Sequence, residues 1–150
     1  MRVVIQRVKN ASVSIGGSEY SSIQAGLLLF VGITHDDNNE DVEWLCRKIV
    51  AMRIFSDQQG KMNLDVMQAR GEVLAISQFT LYASTTKGNR PSFVAAAPPA
   101  HSQPLYAGFV AQISELMQVP CKTGVFGADM QVSLINDGPV TIVFDSRNRE

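Results

Sequence analysis

The sequence has few of the residues that usually bind metals or transfer protons. Two cysteines and two histidines are present in 150 residues. Cys46 and Cys121 lie far apart and form no CxxC pair, and neither His35 nor His101 lies in an HExxH pattern. We therefore expect no metal site, no cofactor and no disulfide framework.

The sequence also lacks a large excess of charges of one sign, and it lacks a long apolar run. The formal net charge of −1 argues against a protein that coats nucleic acid by charge alone, although a local basic patch is compatible with it. No stretch approaches the roughly 20 consecutive apolar residues of a membrane span. Residues 1–7 return to charge too early for a signal peptide. We expect a cytoplasmic protein with no membrane segment.

The usual hydrolase motifs are absent as well. The sequence contains no GxSxG elbow, no GxxxxGK[ST] loop, and no evident histidine partner for Ser77 or Thr80. A hydroxyl without a base is a weak nucleophile, so a reaction at residues 77–80 would draw on backbone donors, bound water or the substrate's own groups. The polar side chains of residues 77–80 could equally well be present to form hydrogen bonds with the backbone of a strand.

Strand patterns outnumber helix patterns in what is present. Alternating Val and Ile, continuous apolar runs and Gly-rich turns predict strands, and apolar residues at helical spacing predict two helices. The chain therefore reads as one α+β domain over residues 1–150, a curved and mostly antiparallel sheet or barrel with two helices packed on it. Strands are predicted at residues 2–15, 19–24, 26–33, 53–56, 61–64, 72–82, 130–135 and 140–145, and helices at residues 42–50 and 105–117.

Two local features of the predicted helices have simple interpretations. The acidic run at residues 36–41 lacks the ligand spacing of a calcium loop and precedes an apolar helical repeat, so we interpret it as a helix cap. The same repeat makes Cys46 a core residue. Pro104 suits the first turn of the second helix.

Two loops carry residues that suit recognition. Residues 85–93 form a Gly/Pro loop with two cations, Lys87 and Arg90, which either contact phosphate or are simply solvated. Residues 136–139 place Gly before Pro between two predicted strands. From the sequence, a plain turn is the favoured interpretation. The backbone groups at such a tip would also suit a steric gauge, a rigid feature that excludes ligands by clashing with them.

Four segments in order resemble the motif set of the D-aminoacyl-tRNA deacylases. They are residues 77–81, 87–93, 123–130 and 136–141, and residues 2–13 resemble the family's amino-terminal strand. The resemblance spans essentially the whole chain. It implies a homodimeric hydrolase that cleaves the ester joining a D-amino acid to the terminal ribose of tRNA, and that also removes glycine from mischarged tRNA-Ala. Its partner would be the acceptor end of aminoacyl-tRNA.

The resemblance also assigns roles to residues. Gly138 and Pro139, joined by a cis bond, would project into the partner's pocket and reject L-amino acids, with Arg7 supporting them. The terminal 2′-hydroxyl of the RNA would help to activate water. Because other donors are absent, our own hypothesis is that backbone N–H groups near Phe79 and Thr80 stabilise the oxyanion. The pocket around the ester and the terminal adenosine would be lined by Ser77, Gln78, Phe79 and Thr80, with Phe126 and Met130 as further walls.

Two other functions compete with this interpretation. One is a non-catalytic module that binds RNA or DNA ends through residues 87–93 and Phe79, although the aromatic content of 7% and the net charge of −1 argue against it. The other is a small-metabolite hydrolase on the same fold, which would keep the pocket without needing the basic loop.

Overall fold

The computed structural model describes residues 1–149. Eight strands, two α-helices and one short 3₁₀ helix make up this part of the chain. In chain order the elements are β1 (Arg2–Ile15), β2 (Ser18–Ile23), β3 (Gly26–Gly32), α1 (Asn39–Val50), β4 (Phe55–Ser56), β5 (Met62–Leu64), β6 (Glu72–Ser77), the 3₁₀ helix (Phe79–Tyr82), α2 (Pro99–Met117), β7 (Lys122–Thr123) and β8 (Gln131–Asp145).

The long strand β1 organises the sheet. Its first half pairs with β3 and its second half with β2, while β8 pairs antiparallel along most of its other edge. Beyond β3 the sheet continues through β6 and β7, which run parallel to it. The predicted α+β domain with a curved, barrel-like sheet and two helices is confirmed, with a parallel portion at β3, β6 and β7. None of the helices in residues 1–149 is long and apolar enough to cross a membrane.

Two hydrophobic clusters lie on the two sides of this sheet. The larger one packs α1 and α2 against β1, β3 and β6, and Cys46 lies within it as predicted. Burial raises the pKa of the Cys46 thiol to about 12, which keeps the thiol neutral at pH 7. The smaller cluster lies on the other side, between the second half of β1 and the strands β3 and β6.

The acidic run caps α1, as its composition predicts. The Asn38 side chain accepts a hydrogen bond from the Glu40 N–H at 2.8 Å, and the Asp41 carboxylate accepts one from the Asn38 N–H at 2.9 Å. These reciprocal bonds satisfy donors that the helix itself leaves without acceptors. No group of metal-binding side chains is found among the described residues.

Several predicted boundaries were wrong. Helix α1 begins at Asn39 instead of residue 42, and the strand predicted at residues 53–56 covers only Phe55–Ser56. Helix α2 begins at Pro99, so Pro104 lies inside the helix and Pro99 is the first-turn proline. The strand predicted at residues 72–82 ends at Ser77, and a 3₁₀ helix follows, closed by main-chain hydrogen bonds from Leu81 to Gln78 and from Ala83 to Thr80. The strands predicted at residues 130–135 and 140–145 form one strand, since both pair with β1 across register shifts.

Candidate active site

A large cavity lies where two parallel strands end. β3 and β6 run side by side with Val31 opposite Ser77, so the chain leaves both strands at the same edge of the sheet. Ligands commonly bind beyond the carboxyl ends of parallel strands because the outgoing loops diverge there. The cavity holds about 610 Å³, within the usual range for small-molecule sites. Its walls include Val31, Ser77, Gln78, Phe79, Phe93, Ala97, Ser102, Tyr106, Phe126, Asp129 and Met130.

Main-chain hydrogen bonds shape the turn of residues 77–80. The Gln78 N–H donates to the Val31 carbonyl at 2.8 Å, and the Ala83 N–H donates to the Thr80 carbonyl at 3.0 Å. Gly32 lets this turn lie close to β3, since a Cβ there would be 2.9 Å from Leu81 Cβ and 3.1 Å from the Gln78 carbonyl oxygen. From sequence alone Gly32 was only one position in the apolar run of residues 26–33.

The predicted pocket residues are brought together in part. Ser77, Gln78 and Phe79 share the cavity with Phe126 and Met130, although about fifty residues separate the two segments. Thr80 does not line the cavity, but its hydroxyl accepts a hydrogen bond from Gln78 Nε2.

Aromatic and apolar surfaces dominate the cavity. Phe79 is 57% exposed and meets Phe93 edge to face, with 5.0 Å between ring centroids. Asp129 is the one ionisable carboxylate among the described lining residues, and they include no histidine, lysine or arginine. The side chains found here therefore suit binding of an apolar, aromatic group more than acid–base catalysis.

Tyr106 is a buried polar residue of the cavity wall that the sequence did not reveal. Its hydroxyl donates to the Ala75 carbonyl at 2.9 Å, and burial raises the pKa of the phenol, which stays neutral at pH 7. In the sequence, Tyr106 lies among the apolar residues of α2, a position that signals only core packing.

The tip formed by residues 136–140 lies outside this cavity. Gly138 and Pro139 are both exposed, and the peptide bond between them is cis. Arg7 Nε donates to the Asp137 carbonyl at 2.9 Å, while Arg7 Nη1 donates to the Ile54 carbonyl. The Asn136 side chain accepts the Val140 N–H at 2.8 Å. Arg7 thus contacts the tip as the resemblance implies.

The two cations of the basic loop do not line the cavity. Lys87 and Arg90 are exposed on a loop whose base is closed by paired hydrogen bonds between Ser84 and Ser92, both at 2.8 Å. The loop leads directly to Phe93, which does line the cavity. Lys87 and Arg90 therefore lie on the loop that leads to the cavity wall.

Sequence comparison identifies the family of this fold. The model of the family described as D-Tyr-tRNA(Tyr) deacylase matches residues 4–145. The chain is 57% identical to a D-aminoacyl-tRNA deacylase of Cytophaga hutchinsonii and 55% identical to one of Bacteroides fragilis, each over 150 residues and the full length of both proteins. The chain belongs to this family and is a deacylase, an enzyme of the hydrolase class.

Solved structures agree with the fold. The chain is similar to the c-Myc DNA Unwinding Element Binding Protein, with a TM-score of 0.90 and 40% identity over 97% of this chain and 98% of that one. It is also similar to a probable eukaryotic D-amino acid tRNA deacylase, with a TM-score of 0.83 over 95% of this chain and 97% of the other. The latter is only 15% identical, so that likeness concerns the fold alone.

Proposed function

We propose that this enzyme hydrolyses the ester bond of D-aminoacyl-tRNA and releases the free D-amino acid and the tRNA. The main support is the cavity at the ends of β3 and β6, in which residues 77–79 meet Phe126 and Met130. In this proposal Phe126 and Met130 contact the terminal adenosine, and Ser77 and Gln78 face the ester. Apolar walls with a few polar groups suit such a ligand, because a nucleoside offers a flat ring and a polar sugar.

Catalysis in this cavity would rely on the substrate's own hydroxyl. No imidazole or ammonium group lies among the described lining residues, so Ser77 has no basic partner there. The neighbouring 2′-hydroxyl of the terminal ribose would help to activate water instead. The N–H groups of Phe79 and Thr80 begin the 3₁₀ helix, where N–H groups lack acceptors within the helix, and they would stabilise the oxyanion.

Rejection of L-amino acids would come from a second copy of the chain. Gly138 and Pro139 are exposed and lie outside the cavity of their own chain, so they would act in the partner's cavity. A rigid backbone suits the rejection of L-amino acids because it excludes them by a steric clash. An apolar pocket alone gives two ligands that differ by one methylene a difference in binding free energy of only about 1–3 kcal/mol. Glycine has no side chain to clash, so glycyl-tRNA mischarged on tRNA-Ala would also be hydrolysed.

The exposed side of β8 supports a homodimer. Among the described residues β8 pairs only with β1, and Ile135 and Val143 on this strand are 52% and 63% exposed. A second copy could cover these side chains in a symmetric contact that also delivers the tip. Light scattering at the assay concentration should give the mass of two chains, and the mass of one chain would contradict this part of the proposal.

The basic loop would contact the tRNA acceptor end. Lys87 and Arg90 are exposed on the loop that leads to Phe93 of the cavity wall, and each would meet a backbone phosphate. Two local cations suffice for a protein that holds only one end of the RNA, which reconciles this role with a net charge of −1. With a tRNA substrate the enzyme would act in the cytoplasm.

A single-turnover assay tests the reaction. With enzyme in excess over tRNA charged with D-tyrosine, L-tyrosine or glycine, we expect ester loss from the D-tyrosyl and glycyl forms only. Binding without ester loss would favour a nucleic-acid module, an option worth separating because the c-Myc DNA Unwinding Element Binding Protein shares this fold. Hydrolysis of small esters but of no charged tRNA would favour a metabolite hydrolase.

A second arm tests the source of catalysis. D-tyrosyl-tRNA ending in 2′-deoxyadenosine should react at least about 100-fold more slowly, because it lacks the assisting hydroxyl. An unchanged rate would contradict RNA-assisted cleavage and point to a side-chain nucleophile. Binding of the intact and the deoxy RNA is compared at the same time, so that weaker binding is not taken for slower chemistry.

A further inference from the structure

We propose that Tyr106 is a positioning residue that fixes the wall of residues 124–130 against the turn of residues 77–80. The proposal rests on the function assigned above to this cavity. It concerns a residue that lines the cavity without belonging to any of the segments that carry the family resemblance.

The wall has little secondary structure to hold it. Strand β7 consists of two residues, and its pairs with β6 are Leu74 with Lys122 and Ala75 with Thr123. Where the wall leaves β7, the Gly124 N–H reaches the Ala75 carbonyl at 3.3 Å, near the long limit of a hydrogen bond. The wall ends at Met130, where β8 begins and pairs with β1, so the attachment at Gly124 fixes the first end of the wall.

Tyr106 donates to the same carbonyl as the Gly124 N–H does. Its hydroxyl donates to the Ala75 carbonyl at 2.9 Å, a shorter bond than that from Gly124. Its ring also packs against Phe126 of the wall, with 5.8 Å between centroids. One side chain of α2 therefore contacts both the strand that leads into the turn and the aromatic residue of the wall.

The position of Ala75 connects the bond to the turn. Ala75 lies two residues before Ser77 on β6, and both pair with β3. A carbonyl that accepts two donors fixes the peptide plane at this point of the strand. Loss of the phenol hydroxyl would leave the carbonyl of Ala75, a fully buried residue, with the longer bond from Gly124 in place of two donors. The wall would then move relative to the turn, and the adenosine site between them would widen.

The first experiment compares wild type with Tyr106→Phe, which keeps the ring and removes the hydroxyl. The probe is the stable amide of D-tyrosine with 3′-amino-3′-deoxyadenosine, whose Kd is measured by calorimetry. We expect Kd to rise about three- to tenfold, the size of one buried hydrogen bond. In steady-state assays KM for D-tyrosyl-tRNA should rise by the same factor, while kcat stays within about twofold, because the turn keeps its main-chain bonds.

Two control variants separate positioning from general stability. Ser114→Ala removes the side-chain oxygen that accepts the Cys121 N–H at 2.9 Å, another bond from α2 toward β7 but outside the cavity. Tyr82→Phe removes a buried phenol hydroxyl that has no hydrogen-bond partner among the described residues and does not line the cavity. Thermal unfolding of all variants is measured, and neither control should change Kd.

The outcomes distinguish this proposal from the function on which it rests. An unchanged Kd and KM in Tyr106→Phe, with active wild type, would overturn the positioning role alone. An equal rise of Kd in Ser114→Ala would also overturn it, since any loss of stability would then have the same effect. Wild type that hydrolyses no charged tRNA would instead contradict the proposed function.

Discussion

The turn of residues 77–80 and the tip of residues 136–140 are held by different kinds of bonds. The turn is fixed by main-chain hydrogen bonds to β3 and within the 3₁₀ helix, and by the close approach that Gly32 allows. The tip is fixed by the side chains of Arg7 and Asn136, which bond main-chain groups of the tip.

The difference predicts how each region responds to substitution. Main-chain bonds survive most side-chain changes, so the geometry of the turn should change mainly where a substitution adds volume beneath it. Side-chain bonds are lost when the side chain is removed, so the tip should loosen readily. Both arrangements leave few titratable groups near the proposed chemistry, which agrees with the small number of histidines.

Arg7→Ala should give the largest effect. The substitution removes the donors of two carbonyls, those of Asp137 and Ile54, from a residue that is only 9% exposed. We expect the free energy of unfolding to fall by about 2–4 kcal/mol, measured by urea denaturation, because one buried and one partly buried carbonyl lose a charged donor. The folded fraction should also hydrolyse L-tyrosyl-tRNA faster than wild type does.

Arg53→Ala is the matched control for that change. Arg53 Nε also donates to a backbone carbonyl, that of Asn63 at 2.8 Å, but the side chain is exposed. Its loss should cost less than about 1 kcal/mol. Equal stability of the two variants would contradict the special role of Arg7 at the tip.

Gly32→Ala should give an intermediate effect, concentrated on activity. The new methyl group would lie 2.9 Å from Leu81 Cβ and 3.1 Å from the Gln78 carbonyl oxygen, so the turn must move. Overpacking of this kind costs about 1–3 kcal/mol. We expect the single-turnover rate on D-tyrosyl-tRNA to fall at least about tenfold, which corresponds to about 1.4 kcal/mol in the barrier.

Gly108→Ala provides the comparison for added volume. Gly108 lies on α2, and a Cβ there would meet nothing within 4 Å. The change should leave the rate unaltered and stabilise the helix by up to about 1 kcal/mol. A Gly32→Ala variant as active as Gly108→Ala would show that the turn tolerates displacement.

The smallest effect is expected at the other end of β6, where Glu72 begins the strand. The hydrogen bond from the Gln24 N–H at 2.7 Å, and then the Lys122 ammonium at 2.9 Å, hold the pKa of this carboxyl below its usual value. A lowered pKa in the folded state means that the stabilisation is present above the unfolded pKa of about 4.3 and disappears as the pH falls through the folded value.

The pH dependence of unfolding checks this prediction. Glu72→Gln should lower stability at pH 7 by less than about 1 kcal/mol, because the pair is partly exposed. The difference from wild type should shrink as the pH falls below about 4.3. Glu115→Gln, at an exposed position of α2, serves as the control. A Glu72→Gln deficit that stays constant down to pH 2 would show that the charge of Glu72 is not involved.

Much of the local structure could be predicted from sequence, because it depends on neighbours in the chain. Gly16 and Gly17 both take positive φ, 59° and 82°, in the hairpin that their sequence predicts. The acidic run before α1 is a cap for the same local reason. The interruption at residues 136–139 was visible as a turn signal, but not the pairing of both flanks with β1, which is a contact between distant segments.

In the candidate site, too, some residues could be predicted from sequence and others only from contacts between distant segments. The segments that carry the family resemblance contain Phe126 and residues 77–79, and the structure places them around one cavity. Gly32 and Tyr106 could not be found this way. Their importance depends on what lies against them, a turn in one case and the Ala75 carbonyl in the other.

By itself the sequence determined most of the strands and helices, though not all of their bounds, and which segments resemble those of a deacylase, since periodicity, caps and turn residues act over a few positions. The tertiary structure decided that β3 and β6 run parallel, and so that their ends open a cavity beneath α2. It also decided that the tip lies outside that cavity. These outcomes follow from the packing of distant segments around two shared clusters, which no local pattern specifies.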